Sequence, residues 1–277
     1  MLLALAGTAR AGEQPEGPDW LLALGTPLAD IRLRMESIEQ SDKAQSALAT
    51  TLRVRLGYQF KAYRGFTALA EFDGIAHLGA QSFNDSINGR TNYPVIADPD
   101  MLALNRLQVG YAARLFSEAS APQDFRLTLG RQRIMLGDGR FIGNADWRQH
   151  EQTFDALNAT LTPLAGATLS YSYVTRVNRI FGPDSAVGTF DSHSHFLNAV
   201  YSGVKNVKFE AYAYLLDLRQ ASSLSTQTYG LRGEGAFDLG GGFAARANGA
   251  FARQSPYANN PASYGLSYYQ AEAGLGF

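Results

Sequence analysis

Residues Thr50–Phe60 read TTLRVRLGYQF, and apolar and polar side chains alternate along them. The apolar set is Leu52, Val54, Leu56, Tyr58 and Phe60, and the set between them is Arg53, Arg55, Gly57 and Gln59. This period of two predicts a β-strand, because successive side chains of a strand point to opposite faces. Arg53 and Arg55 therefore share one face, and an apolar face lies opposite them.

The same alternation recurs along the chain. In Asp30–Glu36, Arg32 and Arg34 oppose apolar residues, and Arg106 does so further along. We count about twelve such segments: 29–40, 47–63, 66–77, 101–115, 124–134, 153–161, 167–181, 193–201, 207–218, 226–237, 243–254 and 267–277. A sequence of many short alternating segments predicts an all-β, antiparallel protein.

The connections between these segments alternate in length. Those after even-numbered segments are short, and those after odd-numbered ones are mostly longer, including 78–100, 135–152, 182–192 and 255–266. Short turns at one end and long loops at the other are typical of an outer-membrane barrel, whereas a soluble sandwich or a lipocalin has no reason to separate them. We therefore predict a transmembrane β-barrel in the bacterial outer membrane.

The arginines fix which face of the strands meets lipid. An arginine turned to lipid near the bilayer midplane costs about 2–4 kcal/mol. Strands containing Arg32 and Arg34, or Arg53 and Arg55, would bear that cost twice if they were turned inside out. The polar side therefore faces the lumen, and acids such as Glu71 are expected to hold the arginines in place.

Composition narrows the function classes. The net charge of −1 gives no support for nucleic-acid binding, and the absence of cysteine excludes disulfides and thiolate metal sites. The uncharged segment Ala156–Thr175 contains Pro163 and Gly166, so we predict no transmembrane helix there. We predict no cofactor and no metal.

The N-terminus resembles the end of a secretory signal. A short apolar run precedes Ala9-Arg10-Ala11, so we assign residues 1–11 to a signal-peptide remnant, 12–28 to an N-terminal extension and 29–277 to the barrel. A disordered apolar leader is the alternative for the first segment.

The stretch Phe125–Leu157 reads FRLTLGRQRIMLGDGRFIGNADWRQHEQTFDAL and contains the connection 135–152. Such a long loop, with Phe141 and Trp147 as apolar anchors, is able to fold into a lumen and narrow it. Parity places Arg126 and Arg131 on opposite faces of the preceding strand, so we predict a bulge near Gly130 that brings Arg131 to the lumen.

Several motifs in this stretch resemble the alginate-export family of bacterial outer-membrane proteins. They are GRQ, then GDGRFIGNADWRQ, then TFDAL, and the earlier IRLRMESIEQ and TLRVRLGYQFKAYRGFTALAEFDG are similar to that family's opening strands. The specific motifs cover residues 29–160. Because barrels of the family have about eighteen strands, we expect this chain to be truncated; a complete twelve-strand barrel ending on Phe277 is the alternative.

The resemblance implies a monomeric barrel whose arginine-lined lumen passes a polyuronate chain received from periplasmic export components. The positions that match the family's motifs are Arg34, Arg53, Arg55, Arg131, Gln132, Arg140, Asn144, Trp147, Arg148 and Asp155. Rows of guanidinium groups suit carboxylates and offer successive weak sites. Arginine–acid ladders that only satisfy a polar interior are the structural alternative.

Other functions remain open at this stage. The same arginines would serve a porin for small anions such as sugar acids or aromatic carboxylates, and a non-transporting surface barrel is a third class. In DSHSH, His193 and His195 share a strand face beside Ser192 and Ser194, a pattern that a metal site or a hydrolase would also show. No third ligand is identifiable, so we predict no enzyme.

Overall fold

The computed structural model describes residues 23–115 and 124–277, which form twelve β-strands and a short 3₁₀ helix at Arg219–Leu224. The predicted signal-peptide remnant at 1–11, most of the N-terminal extension and the short connection at 116–123 lie outside the described residues. Among the residues described, no helix combines the length and the apolar character needed to cross a membrane.

The strands pair antiparallel with their neighbours in the chain, and a single sheet contains all twelve in sequence order. They are β1 (Gly25–Ile38), β2 (Ala47–Phe60), β3 (Phe66–His77), β4 (Met101–Ala113), β5 (Phe125–Gln132), β6 (Thr153–Leu164), β7 (Ala167–Asn178), β8 (Thr189–Tyr201), β9 (Val207–Leu216), β10 (Thr226–Gly240), β11 (Phe243–Pro256) and β12 (Leu266–Gly276). The predicted fold class and strand count are confirmed.

Several strand ends differ from the prediction by two to four residues. β1 begins at Gly25, which pairs with Phe60, and so includes residues assigned to the N-terminal extension. β7 ends at Asn178 rather than at 181, and β8 begins at Thr189 rather than at 193. The backbone N–H of Arg179 donates to Gly188 O at 2.7 Å, so the connection spans 179–188 and not the predicted 182–192.

Two compact units make up the chain. The first contains the described residues up to Val109 together with Gly130–Asp155 and Val177–Phe190, and the second contains Gly110–Leu129, Ala156–Arg176 and Asp191–Phe277. In the first unit, the connection 78–100 packs Phe83 and Ile96 against Ala47 and Ala49 of β2. This small apolar cluster fixes the connection to one end of the strand.

The two faces of β1–β3 differ in burial, with apolar side chains exposed and charged side chains covered, as a membrane requires. Ile31, Leu33 and Met35 are 67%, 58% and 67% exposed, whereas Arg53 and Arg55 are 5% and 6% exposed. We call the first surface the apolar face and the second the polar face. Apolar groups outside and charged groups covered is the reverse of a water-soluble sheet, and it matches the predicted register.

The strand geometry is irregular where β4 meets β5. Asn105 and Arg106 are consecutive, yet both donate to Glu71, at 2.7 and 2.6 Å. In a regular strand they would point to opposite faces. In β5, Gly130 has a φ of +116°, outside the regular β region. The backbone thus departs from regular strand geometry at Gly130, which lies between Arg126 and Arg131, where the sequence predicted a bulge.

Gly130→Ala should destabilise the protein. A Cβ at this position would lie 2.3 Å from Leu107 O, a backbone atom, in addition to the unfavourable φ. A conformation of this kind costs a non-glycine residue on the order of 1–3 kcal/mol, and the steric overlap adds to it. We expect a lower urea midpoint after refolding into lipid vesicles. Gly274→Ala is the control, because nothing lies within 4 Å of its Cβ position; equal midpoints would contradict the prediction.

Candidate functional site

The candidate site is a cluster of charged side chains on the polar face of β1–β4, all within the first unit. Its arginines come from positions 32, 34, 53, 55, 106, 131, 133 and 148, and its carboxylates from positions 30, 36, 71, 73, 98, 151 and 155. We call it the arginine cluster. Carboxylates are nearly as numerous as arginines, so the positive charge is compensated over much of this face.

At the centre of the cluster, Arg55 forms a buried pair with Asp73. Its Nε and Nη2 donate to the two Asp73 oxygens at 2.5 and 2.9 Å, and its Nη1 lies 3.1 Å from Glu151. His150 Nδ1 lies 3.3 Å from Asp73, which is completely buried. The planar guanidinium matches the carboxylate in a bidentate geometry, which fixes both groups in orientation.

Glu71 and Glu151 extend the cluster toward β4 and the strand leading to the loop. Arg106 donates to both oxygens of Glu71, at 2.8 and 2.6 Å. The amide of Asn105 bridges Glu71 and Glu151, and Arg133 lies 2.6 Å from Glu151. These carboxylates therefore bind several donors each, as buried charges must.

The connection 133–152 covers the polar face of β1 and β2, and Gln149 is its main attachment. The Gln149 side chain accepts from Arg32 Nε at 2.9 Å and donates to Thr51 O and Oγ1 at 3.0 and 2.9 Å. Its backbone O accepts from Arg53 at 3.2 Å, and its N–H donates to Asp98 at 3.1 Å. Gln149 is fully buried, so these bonds replace contacts with water.

Arg32 binds the same connection through carbonyl groups. Its Nη1 donates to Asp146 O at 2.9 Å, and its Nη2 donates to Arg148 O. Arg32 thus holds the backbone of the loop and does not extend into open solvent. The loop thus lies against the arginine-bearing strands, and its narrowing of a lumen stays a prediction.

The exposed side chain of Trp147 lies against two arginines of the cluster that are largely covered. The guanidinium carbons of Arg148 and Arg34 lie 4.1 and 5.3 Å from its ring centroid, and Trp147 itself is 58% exposed. Arg148 also donates to Glu36 at 3.1 Å. Burial lowers the pKa of the Arg148 guanidinium from its usual value, while Glu36 and Asp98 act in the opposite direction. We call Arg34, Trp147 and Arg148 the Arg–Trp group.

Most residues that the sequence singled out lie in this cluster. Arg131 donates to both oxygens of Asp155, at 2.7 and 3.1 Å, and Asn178 donates to the same carboxylate at 2.9 Å. Arg53 pairs with Asp30 across the β1–β2 ladder. Together with the contacts above, the structure brings together Arg32, Arg34, Arg53, Arg55, Glu71, Arg106, Arg131, Trp147, Arg148 and Asp155.

Arg140 and Asn144 are placed differently. Arg140 lies 3.7 Å from Asp138 of its own loop, and 48% of its side chain is exposed. The amide of Asn144 donates to Gln152 O at 2.7 Å, which closes the loop on itself. These contacts stabilise the fold of the loop, and whether either residue meets a substrate stays a prediction.

The sequence analysis did not single out Gln149, Asn105 or Asp98. Gln149 is the last residue of the WRQ run, so the motif was the only local signal for it. Asp98 accepts from both Arg34 and Gln149, but it belongs to a different connection, 78–100. Asn105 reaches the cluster only because β4 is irregular.

His193 and His195 lie in the second unit, on the same face of β8 as exposed Leu197 and opposite buried Ser192 and Ser194. Each Nδ1 contacts a tyrosine hydroxyl, Tyr173 at 3.2 Å for His193 and Tyr171 at 2.8 Å for His195. Within the part of the chain that the structure describes, no group of three histidine or acidic side chains is arranged to bind a metal.

Comparison with known proteins gives one family and one group of structures. A family model described as Alginate export matches residues 45–234. No curated protein matches the sequence. The structure of OccAB2 of Acinetobacter baumannii is similar, with a TM-score of 0.67 and 14% identity over 90% of this chain and 62% of that one.

Two further solved structures are similar. A BenF-like porin from Pseudomonas fluorescens Pf-5 has a TM-score of 0.66 and 16% identity, over 92% of this chain and 65% of that one. OccD3 of Pseudomonas aeruginosa has a TM-score of 0.59 and 13% identity, over 90% and 57%. The chain spans less than two thirds of the length of each of these three proteins, and at these identities the likeness concerns the fold.

Proposed function

The chain belongs to the alginate-export family, and from that premise we propose that it passes an anionic polysaccharide of the polyuronate type. The family and the fold identify it as a bacterial outer-membrane channel protein. The family prediction made from the GRQ and WRQ motifs is confirmed. Transport of the polyuronate, by a monomer that receives it from periplasmic export components and without a catalysed reaction, is the proposal.

The Arg–Trp group carries this proposal. Two guanidinium groups, both also paired with Glu36, lie against one exposed indole, so cationic groups adjoin an exposed apolar surface. A uronate residue has both features that such a place binds, a carboxylate and a weakly polar ring face. The loop bearing the group is fixed by Gln149 and Arg32, so the contact is preorganised.

The pairing of the arginines supports passage rather than tight binding. Arg53, Arg55, Arg106 and Arg131 are each bonded to a carboxylate of the protein, as Arg34 and Arg148 are to Glu36, and this weakens their attraction for a passing anion. Partly compensated charges along a path allow successive weak contacts, which a moving polymer requires.

A second candidate function is a porin for small anions such as sugar acids or aromatic carboxylates. The compactness of the Arg–Trp group favours it, because one short constriction suffices to select a small carboxylate. The similarity to a protein described as a BenF-like porin points the same way. The two functions differ in the solute that occupies the channel, which is a polyuronate chain in the first and a single small anion in the second.

Single-channel recording of the refolded chain in planar bilayers tests both. We expect anion-selective channels that alginate blocks at far lower uronate concentration than glucuronate does. Equal block by polymer and monomer would favour the small-anion porin. Absence of channels, or cation selectivity, would overturn the transport proposal for this chain.

Trp147→Ala should weaken the block by alginate. The ring that positions Arg34 and Arg148 through two cation–π contacts of about 0.5–1 kcal/mol each is lost, which predicts a block weakened by roughly five- to thirtyfold. The measurement is the concentration of alginate that halves the open time. Arg140→Ala is the matched control in the same loop, since Arg140 lies outside the Arg–Trp group and is paired with Asp138. If Arg140→Ala weakened the block by alginate more than Trp147→Ala does, the polymer would contact the loop around Arg140, and its assignment to the Arg–Trp group would be wrong.

A further inference from the structure

A groove of about 900 Å³ crosses the apolar face of β6–β11 in the second unit. Alanines such as Ala199 and Ala211 line it together with Leu197, Leu231 and Phe251. The last three are 46%, 63% and 42% exposed. This is the face that meets lipid, so the groove opens to the membrane and not to the polar face on which Ser192 and Ser194 lie.

A ladder of tyrosines and histidines leads from the groove to a cation. Tyr171 lines the groove, and its hydroxyl lies 2.8 Å from His195 Nδ1. The ring of His195 lies 5.1 Å from that of Tyr173, whose hydroxyl lies 3.2 Å from His193 Nδ1. Arg219 then donates from Nη2 to His193 Nε2 at 2.8 Å. The ladder ends at the connection 217–225, one of the longer ones.

Arg219 presents its guanidinium to an external ligand, although its charge also interacts with that of Asp191. It is exposed, and its hydrogen bond goes to an imidazole nitrogen and not to a carboxylate. The nearby Asp191 already accepts from Arg176 at 2.9 Å and from Gln220 at 2.8 Å. A cation therefore lies at one end of an apolar groove, with amphipathic aromatic rings between them.

We propose that this face binds a phosphate-bearing membrane lipid, with an acyl chain in the groove and the phosphate on Arg219. Tyrosine and histidine rings with a polar end suit the zone between hydrocarbon and headgroups. A guanidinium forms strong, charge-assisted hydrogen bonds with phosphate oxygens. Along β7 and β8 toward the connection 217–225, the surface is first apolar, then aromatic and finally cationic. The chemical groups of such a lipid follow the same order, from acyl chain to phosphate.

Native mass spectrometry of the refolded chain in dodecyl maltoside tests the headgroup contact. The probes are phosphatidic acid and diacylglycerol with the same acyl chains, and we expect the chain to retain the first more strongly. Arg219→Ala should weaken phosphatidic acid binding about tenfold, since a hydrogen bond to a charged group is lost. Arg246→Ala is the matched control, because Arg246 is an exposed arginine of β11 near the opposite strand ends. Equal effects of the two variants, or full displacement of the lipid by inorganic phosphate, would overturn the proposal.

The groove has its own test. Ala211→Trp fills it from an exposed position and should weaken binding of both probes. Ala271→Trp introduces the same side chain at an exposed position of β12 that does not line the groove, and binding should be unchanged. If Ala211→Trp binds phosphatidic acid as the wild type does, the acyl chain does not lie in the groove.

Discussion

Replacing Asp73 by alanine is expected to lower the free energy of unfolding by about 3–5 kcal/mol, because breaking a buried ion pair leaves an uncompensated charge. Asp73 is completely buried and accepts both hydrogen bonds of a bidentate pair from Arg55, with His150 also in contact. After its removal, Arg55 retains only Glu151 at 3.1 Å and Glu71 at 3.8 Å. The measurement is the urea midpoint after refolding into lipid vesicles, followed by intrinsic fluorescence.

The control for Asp73 is an exposed pair of similar chemistry. Lys208 lies 3.7 Å from Glu234, and both side chains are more than a third exposed. Water solvates and salt screens such a pair, so Lys208→Ala should leave the midpoint close to that of the wild type. If Asp73→Ala unfolded at the same urea concentration as Lys208→Ala, the buried cluster would not be the centre of stability in the first unit.

Gln149→Ala is expected to release the connection 133–152 and to raise single-channel conductance severalfold. The variant removes the side-chain hydrogen bonds to Thr51, which are buried, and the one from Arg32, which is partly buried. Each such bond contributes about 1 kcal/mol, and the donors and acceptors left behind lose partners that water does not easily replace. Loss of this attachment should also expose the buried Arg148 to trypsin, so proteolysis reports the same event independently of conductance.

Gln152→Ala is the matched control for Gln149, in the same loop and of the same residue type. Its side chain donates only to Gly143 O at 2.9 Å, within the connection itself. We expect conductance and trypsin resistance of this variant to remain near the wild type. Unchanged conductance in Gln149→Ala together with rapid cleavage would mean that the loop is released but does not narrow the passage.

Much of the strand framework follows from local sequence. Alternation places Arg53 and Arg55 on one face and Val54 and Leu56 on the other, and the structure has this arrangement. A period of two is a property of the backbone alone, so no knowledge of partners is needed. The structure likewise has shorter connections at one end of the strands than at the other, as predicted, because turn residues act locally.

The site was only partly predictable, because its contacts join distant segments. Gln149 bonds to Thr51 and Arg32 across 98 and 117 residues, and no local pattern encodes that approach. Asn105 enters the cluster through an irregular strand, where parity assigns it to the wrong face. The resemblance to the family's motif predicted Arg140 and Trp147 alike as pore residues. In the structure, Trp147 adjoins two arginines, whereas Arg140 pairs with Asp138 of its own loop.

The attachment of this loop has a consequence for the order of assembly. Its contacts with β1 and β2 have large sequence separations, so loop-closure entropy must be lost before any of these bonds forms. Contacts of that kind form late and slowly compared with neighbouring strand pairs. The loop therefore docks after the strands have paired, and the newly assembled protein passes through a stage in which the polar face of β1 and β2 is not yet covered.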